Sequence, residues 1–193
     1  ISQPDLNWEN PKVVKEIQDV VDFWVDLGVD GFRCDVIDQI SKDWERNWNC
    51  FGPQLHDHIH ALFGRDKVRH IFTVGECWAG DIDEIVRHSA YERGELSTLF
   101  QFDHLACGCT TKFRKKPESL KSVRDIIAKW QTLNQERDLI HALFTDNHDN
   151  GRFISRMGND GELRYESATC LAAMFYLLRG VPFIYQGQEF GLT

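Results

Sequence analysis

A helix-to-strand unit with a short connection is the feature that most constrains what this chain can fold into. Asn10 and Pro11 form a preferred helix start, because asparagine caps the first turn and proline suits its first position. Gly28 fits the position just after a helix, and residues 29–37 are typical of a strand. Because a short helix-to-strand connection is typical of parallel α/β folds, the chain is predicted to be an α/β protein.

The alternation of helix and strand continues along the chain. Helix-start signals and apolar residues at helical spacing predict helices over 11–27, 53–63, 81–91, 119–133 and 165–179. Apolar runs predict strands over 29–37, 71–76, 96–103, 139–145 and 181–185. Each predicted strand ends in polar or acidic residues, so we expect one edge of the sheet to be rich in functional side chains.

Four carboxylates fall at the ends of predicted strands. They are Asp35, Glu76, Asp103 and Asp149. In parallel α/β folds the chemistry lies at the carboxyl ends of the strands. A structural role could explain one such residue, but four at the same topological position are hard to explain by packing. The pattern therefore predicts a site built from acidic side chains.

Arg33 and Asp35 stand two residues apart, so on a strand their side chains point to the same side. The fixed charge of the arginine would keep the carboxylate ionised, which a nucleophilic or metal-binding aspartate requires. On these residues alone, a salt bridge between a strand and its neighbour explains the pair equally well.

The charge and the cysteines limit the possible partners and the compartment. A net charge of −8 and a pI near 5.4 argue against nucleic acid or an anionic membrane as the partner, and no apolar run is long enough to span a bilayer. The six cysteines lack the spacing of a disulfide framework, which indicates free thiols in a reducing compartment, the cytoplasm. These cysteines are Cys34, Cys50, Cys77, Cys107, Cys109 and Cys170.

Two groups of potential metal ligands lack the further residues that would complete a metal site. Cys107 and Cys109 form one C-x-C, and no second pair completes a zinc site. His56 and His60 share a helix face while His58 does not, and no Glu-x-x-His completes the group. We interpret the three histidines as a solvated helix face, and we predict no metal and no cofactor.

Several motifs, in order, resemble those of a known family. The segments Gly31-Phe32-Arg33-Cys34-Asp35, Gly75-Glu76 and Asn147-His148-Asp149 resemble three signature regions of the α-amylase superfamily of glycoside hydrolases. The segment Gln3-Pro4-Asp5-Leu6-Asn7 resembles a fourth region, in the form associated with the oligo-1,6-glucosidase subfamily. The segment Tyr185-Gln186-Gly187-Gln188-Glu189 looks like the family's eighth strand and the loop after it. The resemblance covers nearly the whole chain.

The resemblance implies a (β/α)8 barrel, of which residues 1–193 would be a partial catalytic domain. The five predicted strands look like the fourth to the eighth, whereas a complete barrel needs roughly 250 residues. The first three strands and the family's C-terminal β domain would then be absent. An isolated piece of this kind is expected to be inactive and to self-associate through its open sheet edges.

The resemblance also implies roles for individual residues in a retaining cleavage of α-glucosidic bonds. Asp35 would be the nucleophile, Glu76 the general acid/base and Asp149 the carboxylate that stabilises the transition state. Retention needs one carboxyl group on each face of the anomeric carbon. Arg33 beside Asp35 favours an ionised nucleophile, whereas Glu76 has no cation adjacent in sequence and is free to carry the proton.

Three further residues would contact the sugar. By the same resemblance, His148 and Arg152 would bind the glucosyl unit at the cleaved bond. Val36, directly after the nucleophile, resembles the valine of enzymes that act on α-1,6 bonds, so the expected partner is an α-linked gluco-oligosaccharide of the isomaltose type. Sucrose isomerases, trehalose-6-phosphate hydrolases and non-catalytic barrel scaffolds remain alternatives. The presence of all three carboxylates favours an enzyme, an α-glucosidase.

Overall fold

The computed structural model of the chain describes residues 4–42, 53–78, 82–89, 95–110 and 116–193. The helices are α1 (Pro11–Asp26), α2 (Pro53–Phe63), α3 (Ile82–His88), α4 (Leu120–Glu136), α5 (Phe153–Met157) and α6 (Arg164–Tyr176). The strands are β1 (Gly31–Cys34), β2 (Phe72–Glu76), β3 (Thr98–Phe100), β4 (Ala142–Leu143) and β5 (Val181–Pro182). The predicted alternation of helix and strand is confirmed, and the chain forms two compact units, residues 1–99 and 100–193.

The first unit contains a sheet in the order β1, β2, β3. β1 and β2 run parallel, with Gly31 opposite Phe72 and Cys34 opposite Gly75. A glycine is required at position 31, because a Cβ atom there would lie 2.5 Å from the carbonyl oxygen of Phe72. Leu55 of α2 is fully buried. The parallel register places the ends of β1 and β2 beside each other.

The helix ends of the first unit follow the sequence signals closely. The side chain of Asn10 accepts a hydrogen bond from the backbone N–H of Lys12, and Pro11 begins α1. Gly28 follows the last turn with a φ of +94°, a left-handed conformation that glycine adopts without strain. α1 therefore begins and ends where its sequence predicts.

The second unit contains a parallel pair of strands, with Ala142 of β4 opposite Val181 of β5. Its longest helix, α4, is capped by the side chain of Ser119, as the sequence predicts. Aromatic rings form the core: Phe100 lies edge-on to Phe144, with their ring centroids 5.0 Å apart. This packing fixes the strand whose end leads into the predicted His148–Asp149 motif.

The strands are shorter than the apolar runs that predict them. β1 ends at Cys34, because the chain turns at Val36 into a short 3₁₀ helix, Ile37–Gln39. β5 comprises only two paired residues, and its Pro182 has no N–H to extend the ladder. The short helix α5 was not predicted; the carboxylate of Asp146 accepts from the backbone N–H of Phe153 at its start, over 2.7 Å.

The interpretation of the three histidines of α2 as a solvated face is wrong for two of them. His56 Nδ1 contacts the carboxylate of the buried Glu95, and His58 Nδ1 lies 2.6 Å from the hydroxyl of Ser41. His60 is exposed, as expected. Partners distant in sequence partly cover the first two rings, and nothing local to the helix indicates those partners.

The described cysteines are free thiols, whereas Cys50 lies outside the described residues. In the described ranges no cluster of three metal-ligating side chains has the geometry to hold an ion. Within the same ranges, every helix is too short or too polar to cross a membrane.

Candidate active site

Arg33 connects two carboxylates at the ends of neighbouring parallel strands. Its side chain donates one hydrogen bond to Asp35, directly after β1, and a second from Nη2 to Oε2 of Glu76, at the end of β2, over 2.6 Å. The Asp35 side chain is 76% exposed, whereas that of Glu76 is 6% exposed. One carboxylate thus faces solvent while the other is enclosed.

Glu76 is held by three N–H groups. Besides Arg33, the backbone N–H of Val36 lies 3.3 Å from Oε2, and the indole Nε1 of Trp78 donates to Oε1 over 2.6 Å. Glu76 has no cation adjacent in sequence, but the structure brings the guanidinium of Arg33 to it. The cation reaches it across the sheet from β1, a proximity that the parallel register creates and that adjacency in sequence does not reveal.

The charge of Arg33 is secured by its two partners. Burial by itself would lower the pKa of Arg33, but the hydrogen bond and charge of Asp35 and the charge of Glu76 outweigh it and raise the pKa. Cys34, the next residue, behaves differently, because burial raises the pKa of its thiol to about 12. Cys34 therefore stays protonated at neutral pH and is no candidate nucleophile.

Val36 has a left-handed backbone, with φ of 35° and ψ of 43°. Such a conformation is a genuine outlier for a β-branched residue and costs on the order of 1–3 kcal/mol. It coincides with the contact between the N–H of Val36 and Glu76. The turn that follows β1 thus stores strain at the predicted site while supplying a donor to the enclosed carboxylate.

In the second unit, His148, Asp149 and Arg152 all follow β4. His148 Nε2 lies 3.3 Å from a carboxylate oxygen of Asp149, and both side chains are more than half exposed. Arg152 stacks on the ring of Tyr185, with the guanidinium carbon 4.9 Å from the ring centroid. His148 and Asp149 thus face solvent, whereas the side chain of Arg152 is 19% exposed.

Asp146 lies beside Arg152, and the sequence analysis did not single it out. Its carboxylate is buried, lies 3.5 Å from Nη1 of Arg152 and accepts from the N–H of Phe153. Asp103 has a structural explanation instead, since it accepts from Lys129 and from the indole of Trp130. Position at a strand end therefore does not by itself distinguish Asp146, which contacts a predicted sugar-binding residue, from Asp103, whose partners are structural.

The comparisons with known proteins identify a family and several relatives. The whole chain, residues 1–193, matches the family model described as Alpha amylase, catalytic domain. The chain belongs to the alpha-amylase family. It is 41% identical over 200 residues to the glucan 1,6-alpha-glucosidase of Streptococcus pneumoniae serotype 4, covering 99% of this chain and 37% of that protein.

Further members of the alpha-amylase family resemble it to a similar degree. The oligo-1,6-glucosidase of Bacillus cereus is 37% identical over 209 residues, with 99% of this chain and 37% of that protein covered. The crystal structure of the trehalose-6-phosphate hydrolase of Bacillus licheniformis superposes with a TM-score of 0.88 at 35% identity, covering 100% of this chain and 37% of that one. The chain thus spans 37% of the length of these relatives.

The alpha-amylase family agrees with the predicted α/β class, and a solved relative covers the whole chain. The assignment of the five strands to barrel positions four to eight stays a prediction, as does the extent of the partial domain. Trp78 was missed as a site residue in the sequence. Its position two residues after Glu76 was the only signal for it, since on a strand such a residue shares the side of the carboxylate.

Proposed function

We propose that the whole protein is a retaining α-glucosidase that cleaves α-1,6 bonds in isomaltose-type oligosaccharides. The observation that carries the proposal is the position of Arg33, which binds an exposed and an enclosed carboxylate at neighbouring strand ends. Retaining hydrolysis requires two carboxyl groups with different roles, close together at one sugar ring. An environment that distinguishes the two is the usual basis for that division of roles.

Asp35 is the proposed nucleophile. Its exposed carboxylate is open to an incoming sugar, and Arg33 keeps it ionised. In the proposed reaction, an oxygen of Asp35 bonds to the anomeric carbon while the bond to the leaving oxygen breaks. Glu76 delivers the proton to that oxygen and then removes a proton from the water that releases glucose. Asp149 is the proposed third carboxylate, which stabilises the positive charge of the transition state.

His148 and Arg152 are the proposed contacts to the glucosyl unit. The exposed imidazole and the guanidinium beside Tyr185 can both donate hydrogen bonds to sugar hydroxyls. Val36 is the proposed determinant of linkage, because it directly follows the nucleophile. The free thiols among the described residues support a reducing compartment, such as the cytoplasm, as the place of this activity.

The relatives support α-1,6 cleavage, but one of them favours a second candidate function. Two of them are named for α-1,6 bonds, whereas the solved relative is a trehalose-6-phosphate hydrolase at a similar level of identity. A trehalose-6-phosphate hydrolase is therefore the second candidate. A sucrose isomerase and a non-catalytic barrel are the remaining alternatives, and the test below separates all four.

The test is to incubate the whole protein with isomaltose, trehalose 6-phosphate and sucrose in parallel and to follow the products by proton NMR. We expect glucose from isomaltose, released first as the α-anomer. Faster release from trehalose 6-phosphate would favour the second candidate, and rearranged sucrose would indicate the isomerase. Initial β-glucose would exclude the retaining mechanism, and no turnover of any sugar would favour the scaffold. Asp35→Asn is the matched control.

A further inference from the structure

Arg156 is a buried cation whose side chain donates hydrogen bonds to backbone carbonyl groups. It lies on α5 and is 4% exposed. Its Nε donates to the carbonyl oxygen of Gly151 over 2.9 Å. Its Nη1 donates to that of Leu105 over 2.8 Å, and its Nη2 to that of Thr145 over 2.9 Å. Each of the three nitrogen atoms thus holds a different segment of the chain at an ordinary hydrogen-bond distance.

Two of these three carbonyl groups mark the ends of one loop. Thr145 follows β4 and Gly151 precedes α5, so the loop formed by residues 145–151 begins and ends at the guanidinium. This loop carries His148 and Asp149, whose side chains are 61% and 56% exposed. The two exposed side chains therefore belong to a loop whose ends meet at a buried group.

Hydrogen bonds within the loop also fix its shape. Oδ1 of Asn147 accepts from the backbone N–H of Asp149 over 3.1 Å and from the side-chain amide of Asn150 over 2.8 Å. The carboxylate of Asp146 accepts from the backbone N–H of Phe153 over 2.7 Å. A turn closed by an asparagine side chain in this way keeps its internal shape. The direction in which it points then depends on how its ends are anchored.

Arginine is the side chain that suits this anchoring. Its planar fork presents donors on three nitrogen atoms in fixed directions, whereas lysine carries all its donors on one atom. A single ammonium group could not bind three separate carbonyl groups. Phe153 contacts the face of the guanidinium, with Cζ of Arg156 4.9 Å from the ring centroid, and the edge is left for the carbonyl groups.

We propose that Arg156 is a positioning residue that sets the direction of the loop carrying His148 and Asp149. Because it is buried, it acts through the loop and not by touching a sugar. Its effect on cleavage rests on the proposed function, in which these two side chains bind the glucosyl unit and stabilise the transition state. The anchoring itself concerns only the loop, and it is testable whether or not the protein cleaves glucosides.

Hydrogen exchange in the whole protein measures the anchoring directly. Arg156→Lys keeps the positive charge and loses the fork. The backbone amide of Phe153, which is bonded to Asp146 in the loop, should exchange about tenfold faster in this variant, because a loop with unanchored ends opens locally more often. Amides in the middle of α4 should keep their rates. Arg164→Lys is the matched control, since Arg164 donates to the backbone carbonyl of Gly191 over 3.0 Å, outside the loop.

Faster exchange at Phe153 in Arg156→Lys, with unchanged exchange there in Arg164→Lys, supports the proposal. Unchanged exchange in Arg156→Lys, or equal acceleration in both variants or throughout α4, overturns it. The unaltered protein provides a check that needs no variant. If its Phe153 amide exchanged as fast as an exposed amide, the loop would not be anchored and the proposal would be wrong.

Turnover of isomaltose distinguishes positioning from a general loss of structure. Asp149 is proposed to act in the transition state, so a displaced loop should lower kcat more than it raises KM, by roughly a hundredfold for a displacement of about 1 Å. Urea denaturation establishes that the compared variants are folded. An unaltered kcat in Arg156→Lys, despite faster exchange of the loop, would overturn the positioning role.

The two proposals fail in different ways. If Arg156→Lys loosens the loop but the unaltered protein cleaves no glucoside, the proposed function alone is contradicted. If the protein is an active glucosidase and Arg156→Lys leaves exchange of the loop unchanged, this inference alone is contradicted.

Discussion

Nη2 of Arg33 lies 2.6 Å from Oε2 of Glu76, so the cation two residues before Asp35 also binds the carboxylate on the neighbouring strand. One guanidinium therefore limits the separation of the two carboxylates and sets their relative position. Such a bridge is specific to arginine, because its planar fork presents separate donors to two partners. The four predictions below concern the residues of this arrangement and a buried histidine in the second unit.

Asp35→Asn should abolish glucoside cleavage by the whole protein while its free energy of unfolding changes by about 0.5 kcal/mol or less. The side chain is mostly exposed, and exposed ion pairs contribute little to stability. Urea denaturation measures the stability, and release of glucose from isomaltose measures the activity. Near-normal turnover would exclude Asp35 as the nucleophile.

Glu76→Gln should destabilise the protein clearly more than Asp35→Asn does. The new amide group places N–H donors among three groups that themselves only donate, and it removes the charge that faces Arg33. Unsatisfied buried donors cost on the order of 1–3 kcal/mol. Urea denaturation of the two variants side by side is the measurement. Equal stabilities would show that Glu76 is not enclosed as described.

Val36→Thr should shift the preference of the whole protein from α-1,6 towards α-1,4 glucosides. Threonine is also β-branched, so the strained left-handed backbone and its N–H contact to Glu76 are retained while one methyl becomes a hydroxyl. Such a change is worth on the order of 1–3 kcal/mol in relative transition-state binding. The ratio of kcat/KM for isomaltose to that for maltose measures it, and an unchanged ratio would remove Val36 from the explanation of specificity.

His104 should make the second unit lose stability in acid. Burial lowers the pKa of His104 to about 4, from an ordinary value of 6.5. The unfolded state therefore binds more protons between these values, so stability is retained above pH 6.5 and falls as the pH drops towards 4. A difference of this size corresponds to roughly 3 kcal/mol at most.

The measurement for His104 is urea denaturation between pH 7 and pH 4.5. His104→Gln should flatten the dependence of unfolding free energy on pH, since the amide does not titrate. His60→Gln, which changes an exposed histidine, is the control and should keep the slope of the unaltered protein. If the free energy of unfolding depended on pH equally in the unaltered protein and in both variants, His104 would not contribute to the loss of stability in acid.

Local signals in the sequence predict which helices and strands form, but they predict the lengths of the strands poorly. Asn10, Pro11 and Ser119 mark helix starts because capping involves only neighbouring residues. The end of β1 was predicted three residues too late, since apolar alternation continues through Val36 while the backbone already turns. Pairing with another strand decides where a strand ends, and that partner is remote in the chain.

The sequence by itself determined the α/β class, the family and the identity of the candidate carboxylates, because their motifs are short and lie at predicted strand ends. Only the tertiary structure decided the surroundings of Glu76. The parallel register of β1 and β2 brings Arg33 to it, the left-handed turn at Val36 adds a backbone donor, and Asp38 anchors the tryptophan that reaches its other oxygen. Strand register and burial act between residues about 40 positions apart, so the contacts of Glu76 cannot be read from its neighbours in sequence.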